Sequence, residues 1–146
     1  MVGALTIKQQ RARMKELWPG FAQRRINFEQ KSVRWVGQCH PQFMPYTLDV
    51  RYQLGCFPEV RVLKPELVRL PGNAEGSLPH VYPPADDPTL CLFDPAENQW
   101  NSSMFIAETT LPWAYDWIVC YEMWLMTGRW TGGGRHGPVR QIGVIS

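Results

Sequence analysis

The chain has 146 residues, 45% hydrophobic, 12% aromatic and 19% charged, with a formal net charge of +2. That length suits one domain, expected over 1–146 and burying about 70% of its unfolded surface, and the composition excludes an intrinsically disordered chain. No apolar run approaches the roughly 20 residues of a membrane span and the N-terminus lacks a signal-peptide core, so a cytoplasmic protein with free thiols and no membrane partner is expected.

In chain order, residues 4–18 read as an amphipathic helix. Ile7, Gln10 with Arg11, Met14, Leu17, Trp18 and Phe21 recur at helical spacing, Lys8, Arg13 and Lys15 take the other face, and Pro19-Gly20 ends it. Period-2 patterning follows. Val33 and Trp35 alternate with Ser32 and Arg34. Tyr46, Leu48, Val50, Tyr52 and Leu54 alternate with Thr47, Asp49, Arg51 and Gln53, which predicts one face on a core and one on water. A third strand is predicted at Val60–Leu63, and the short connections favour an antiparallel meander. Residues 64–90 carry six prolines and read as a long, ordered loop. Thr109-Thr110-Leu111-Pro112 predicts a helix start with a hydroxyl cap and a first-turn proline. That helix runs to about Thr127, stops at Gly128, and is apolar around most of its circumference, as a central core or interface helix is. The order helix, antiparallel strands, loop, helix is α+β.

Charge is unevenly spread. Residues 1–69 hold twelve Lys/Arg against five Asp/Glu, whereas residues 75–122 hold eight acids and no Lys or Arg. Besides solvated surface, this suggests a basic N-terminal face for an acidic partner. Nucleic acid is the weaker choice of partner, because the basic residues lack interleaved exposed aromatics.

Of the four cysteines, Cys39 and Cys56 fall at strand ends and Cys120 on the apolar helix, where inert buried thiols are expected. No CxxC or Cys-His spacing marks a zinc site, so neither metal nor cofactor is expected; a zinc set of Cys39, His40, Cys56 and His136 stays open as an alternative. Gly132-Gly133-Gly134-Arg135-His136-Gly137 invites a phosphate-loop reading, but it follows a helix and lacks Gly-Lys-Ser/Thr, which favours a plain connection. Cys91 differs. It ends a polar, proline-rich run, His80-Val81-Tyr82-Pro83-Pro84-Ala85-Asp86-Asp87-Pro88-Thr89-Leu90-Cys91-Leu92, and chemistry concentrates on loops held by a rigid scaffold.

In these residues the chain resembles the ubiquitin-conjugating enzymes, whose signature is His-Pro-Asn, about ten residues, then Cys-Leu, with a tryptophan beyond. Here the pieces are His80, Cys91-Leu92 and Trp100, and Phe57-Pro58-Glu59-Val60-Arg61-Val62 is similar to the family's third strand. The resemblance covers about residues 4–127, with 128–146 as a Gly-rich tail. It is closer to the divergent bacterial branch found in cyclic-oligonucleotide antiphage signalling (CBASS) operons, in which His-x-Tyr, Leu-Cys-Leu and a Trp-rich helix before Gly-Gly-Gly recur. Val81 and Tyr82 replace the signature's proline and asparagine, and the family's two C-terminal helices are not evident; a homodimer is one way to cover the surface they would hide.

The resemblance implies a ubiquitin-conjugating fold in which Cys91 carries an acyl group as a thioester. The donor would be a partner protein's C-terminus, on this branch a cyclic-oligonucleotide synthase, supplied through an activating enzyme and passed to a protein amine. His80 and Tyr82 would organise the loop. Tyr82, Asn98, Asn101 or backbone N–H groups are the candidates to replace the missing asparagine at the oxyanion. Asp86, Asp87 or Asp94 would orient the incoming amine. The acidic setting, with Asp86, Asp87, Asp94 and Glu97 near the cysteine, disfavours the ready thiolate that a cysteine protease needs, while a carrier receives an already activated acyl group. Two other readings stand beside it: a non-catalytic adaptor of the same fold, and a thiol hydrolase using Cys91 and His80.

Overall fold

A computed structural model describes residues 3–131. Helix α1 spans Ile7–Leu17, four strands follow as β1 (Ala22–Asn27), β2 (Ser32–Cys39), β3 (Tyr46–Gln53) and β4 (Glu59–Lys64), then a short pair β5 (Val81–Tyr82) and β6 (Thr89–Leu90), and last helix α2 (Thr110–Thr127). The expected α+β order holds, with the sheet an antiparallel meander β1-β2-β3-β4.

Helix α1 starts later than its periodicity suggested, because Thr6 makes a capping box: its hydroxyl accepts from Gln9 N and Gln9 Oε1 accepts from Thr6 N. Ile7, Gln10 and Met14 are buried, whereas Leu17 turns 42% outward. The fully buried Gln10 binds backbone at both ends of its amide, Met104 O at 2.9 Å and Ile106 N at 2.9 Å, and so ties α1 to the segment that leads into α2. A buried amide satisfied twice behaves as a clamp; unsatisfied, it would cost stability.

Strand β1 was not signalled by the sequence. Ala22, Gln23, Arg24 and Arg25 are exposed, and the strand lies at the sheet edge with a register irregularity between Gln23 and Arg25. An edge strand with little to bury has no apolar alternation to read. The β2–β3 register pairs Trp35 with Val50 and Val33 with Tyr52, all on the core face. Asp49, expected toward water, is instead fully buried, its carboxylate covered by Arg34 (2.8 Å) and Arg51 (3.0 Å). Gly37 sits on β2 where an added Cβ would meet the buried Phe21 ring at 2.6–2.8 Å, so the ring packs directly on backbone.

Helix α2 closes the core face. Leu111, Ala114, Trp117, Ile118, Tyr121 and Trp124 are buried in one cluster with Trp35, Leu48, Val50 and Val60. Glu122, buried on the same helix, accepts from Tyr46 Oη at 2.8 Å and Phe43 N at 3.1 Å, and thereby anchors α2 to the β2–β3 connection. The hydroxyl cap expected at Thr109 is not formed: its Oγ1 accepts from Trp100 Nε1 and donates to Phe105 O. Gly128 ends the helix in the left-handed conformation (φ 76°). No helix among the described residues is long and apolar enough to cross a membrane.

Candidate active site

The loop read as ordered is ordered by a few long-range bonds around a two-residue hairpin. Val81 pairs with Leu90 and Tyr82 with Thr89, so the hairpin brings His80 opposite Cys91. His80 takes a left-handed conformation (φ 59°), unusual for a residue with a side chain. In that turn its carbonyl accepts two hydrogen bonds, from Cys91 N at 2.9 Å and from Trp117 Nε1 at 2.8 Å. The His80 ring packs on Trp130 at 4.8 Å. The cysteine backbone is thus tied through His80 to the central helix. The acidic tip is held from the sheet side: Arg61 pairs with Asp87 at 3.0 Å, and Arg69 Nη2 donates to Ala85 O.

Cys91 is half-buried. Its thiol lies within hydrogen-bonding reach of the Tyr82 hydroxyl and 3.7 Å from Phe93 O, and Tyr82 Oη donates to that same carbonyl at 3.3 Å. Burial pushes the thiol's pKa above its ordinary value and the Asp94 charge adds to this, while hydrogen bonds from Tyr82 and the Phe93 backbone oppose it. The Tyr82 hydroxyl is likewise held protonated, first by burial and then by the thiol beside it. Such a hydroxyl stays a donor at any ordinary pH.

Of the acids flagged around the loop, Asp94 is the one whose charge acts on the thiol, and it also caps the 3₁₀ turn Pro95–Glu97 through Ala96 N. Asp87 is occupied by Arg61, and Asp86 lies exposed on the loop tip. Asn98 is exposed and left-handed (φ 53°) at the end of that 3₁₀ turn. Asn101 Oδ1 is bound to Ser103, through its backbone N–H at 2.9 Å and its hydroxyl. Tyr82, which faces the thiol, and Leu92, next to the cysteine in the chain, line with Phe57, Pro58, Pro83 and Phe93 a mostly apolar groove of about 340 Å³; Cys56 is in its lining and Cys91 is not. Its wall is stiffened by the edge-to-face contact of Phe57 with Phe93, 5.1 Å between centroids.

The other thiols divide. Cys39 is buried and its pKa is pushed up to about 11 by that burial. Cys120 is half-buried, and Cys56, expected to be buried, is exposed because the turn after β3 carries it outward. Among the described residues no three His, Cys, Asp or Glu side chains gather as metal ligands; His136 and the Gly132–Gly137 run lie outside the described residues. Sequence reasoning missed Trp117, read only as core, and the two arginines Arg61 and Arg69. Their bonds reach across 37, 26 and 16 residues, and no local pattern announces such links.

With this geometry in view, residues 10–137 match the family model described as Type II CBASS E2 protein. The chain belongs to that family. Among curated proteins, none matches the chain. Membership of the Type II CBASS E2 proteins gives the chain an E2-like role in CBASS antiphage defence, with a protein of that system as partner.

Proposed function

We propose that the chain is a ubiquitin-conjugating-type acyl carrier of the corresponding fold, with Cys91 as its thioester-forming residue. The carrying observation is the half-buried Cys91 thiol, tied by its own N–H to the His80 carbonyl and set beside an apolar groove. The donor would be the C-terminus of a partner protein, a cyclic-oligonucleotide synthase in this reading, already activated as a thioester on an activating enzyme. Cys91 sulfur attacks the donor carbonyl, the new C–S bond forms, and the donor thiol leaves with the proton. An amine of the acceptor protein then attacks the Cys91 thioester. The tetrahedral intermediate collapses to an amide, the C–S bond breaks, and the amine's surplus proton passes to the leaving sulfur, directly or through water, so that Cys91 is released as a thiol.

The chain's own residues supply position and polarity. Tyr82, kept protonated and within hydrogen-bonding reach of the sulfur, is proposed to turn its O–H from Phe93 O to the developing oxyanion in place of the signature's asparagine. His80 acts through its turn and carbonyl, which fix the cysteine backbone. Asp94 is proposed to orient the incoming amine, and its charge is tolerable because a carrier does not need a standing thiolate. A raised thiol pKa argues against the hydrolase reading, which requires a depressed one.

The test is incubation with the cognate activated donor. A covalent adduct cleaved by hydroxylamine or excess thiol is expected on the native chain and lost in Cys91→Ala, while Cys56→Ser keeps it. An adduct that survives in Cys91→Ala overturns the assignment. Native protein whose Cys91 resists iodoacetamide and forms no adduct favours the adaptor instead.

A further inference from the structure

The outer face of the sheet carries a feature that the Cys91 chemistry does not use. Arg25, Arg34 and Arg51 stand opposite one another on three adjacent strands, paired in register as Arg25 with Arg34 and Arg34 with Arg51. Like charges directly opposite on a sheet destabilise it. One counter-ion answers the row: the buried Asp49, which takes Nε of Arg34 and Nε of Arg51. Among the described residues, the outer amino groups of Arg34 and Arg51 make no hydrogen bond, and Arg25 has no ion pair or side-chain hydrogen bond. Glu59, next in the row, is drawn to Arg61 at 3.1 Å.

These arginines, with Glu59 at the end of the row, line a groove of about 480 Å³, a volume within the usual range for small-molecule sites. Ser32 and Asn27, themselves paired in register, add a hydroxyl and an amide at its edge. Phe57, 46% exposed, supplies an aromatic wall.

We propose that this groove binds a phosphate-bearing anion of nucleotide size. Neighbouring strands set the backbones that carry these arginines roughly 5 Å apart. The Nε atoms of Arg34 and Arg51 already share the Asp49 carboxylate, and a polyphosphate, with more charge and more oxygens than a single carboxylate, can take their outer amino groups together with Arg25. Ligand charge removes the repulsion along the row, and the Phe57 ring offers a face on which a base can stack. The groove shares Phe57 with the one beside Cys91, but Arg25, Arg34 and Arg51 line only this one, so variants of the arginines leave the thioester reading untouched, and the reverse also holds.

The experiment is calorimetric titration of the full chain at 150 mM salt with inorganic tripolyphosphate, ATP and citrate. One tripolyphosphate per chain is expected to bind, at least tenfold more tightly than citrate. Tighter binding of ATP identifies a nucleotide as the source, and equal binding identifies free polyphosphate. Arg25→Ala, an exposed residue outside every described bond, should weaken tripolyphosphate at least tenfold, about the effect of losing one charged hydrogen bond, with an unchanged melting temperature. Arg51→Ala should weaken it similarly, here with a lowered melting temperature because the buried Asp49 loses one of its two partners. The proposal is overturned if citrate binds as well as tripolyphosphate, if both arginine variants keep native affinity, or if polyglutamate competes more strongly than either phosphate ligand.

Discussion

The four-stranded sheet and the two-residue hairpin that holds Cys91 are built by different means. The sheet rests on long backbone ladders and a face of Trp35, Leu48, Val50 and Tyr52 sunk into the core. The hairpin has two paired positions, and its shape depends on single bonds from afar: Trp117 to the His80 carbonyl, Arg61 to Asp87, Arg69 to Ala85. A ladder shares its load over many residues, so its weak points are the few sites where burial or charge leaves no slack. A loop held by isolated bonds can lose one and still leave the domain folded. Damage to the sheet should therefore be read in stability, and damage around Cys91 in reactivity.

The largest effect should come from Asp49. Asp49→Ala leaves Arg34 and Arg51 facing each other with no counter-ion, and breaking a fully buried pair costs about 3–5 kcal/mol. The two arginine side chains are 33% and 50% exposed, so water screens part of this and about 2–3 kcal/mol is expected. Urea unfolding measures it. A loss below 0.5 kcal/mol would mean that the carboxylate is no keystone of the sheet.

Gly37→Ala comes next. Its methyl would meet the Phe21 ring at 2.6–2.8 Å, an overpacking of about 1–3 kcal/mol, less the 0.5–1 kcal/mol that alanine gains over glycine in a strand. A net loss of about 1–2 kcal/mol is expected, with recovery in the double variant Gly37→Ala/Phe21→Leu. Without recovery, the clash is not with that ring. In both variants the adduct on Cys91 should form normally wherever the protein is folded.

The same contrast explains which elements are legible in the sequence. Helix α1, strands β2 to β4 and helix α2 announce themselves because burial on one face leaves a periodic trace. Strand β1 does not, since Gln23, Arg24 and Arg25 face solvent on an edge and there is nothing to alternate. Parity in the strand assigns Asp49 to the water face; parity gives the face, but the arginines that cover it come from cross-strand register, which one strand cannot state. Thr109 has the residue type of a cap, yet the indole of Trp100 claims its hydroxyl. Around Cys91 the chain order of His80, Tyr82 and the cysteine was legible, whereas the pin from Trp117 spans 37 residues and was not.

The smallest effect tests the hairpin side by sign as well as size. Cys91 is raised mainly by burial, further by the Asp94 charge, and pulled back by the Tyr82 hydroxyl. Asp94→Asn keeps a side chain able to cap Ala96 N–H but removes the charge, so the thiol pKa falls and iodoacetamide labelling at pH 8 quickens a few-fold. Tyr82→Phe keeps the ring but removes the donor that favours thiolate, so the pKa rises and labelling slows by a similar factor. Because neither residue is in the core cluster, melting temperatures should barely move. Rates that shift in the same direction in both variants would show that access to the sulfur, rather than its ionisation, is what these side chains control. If stability instead fell as much as in Gly37→Ala, the hairpin would be carrying load for the whole domain, and the division between sheet and site would fail.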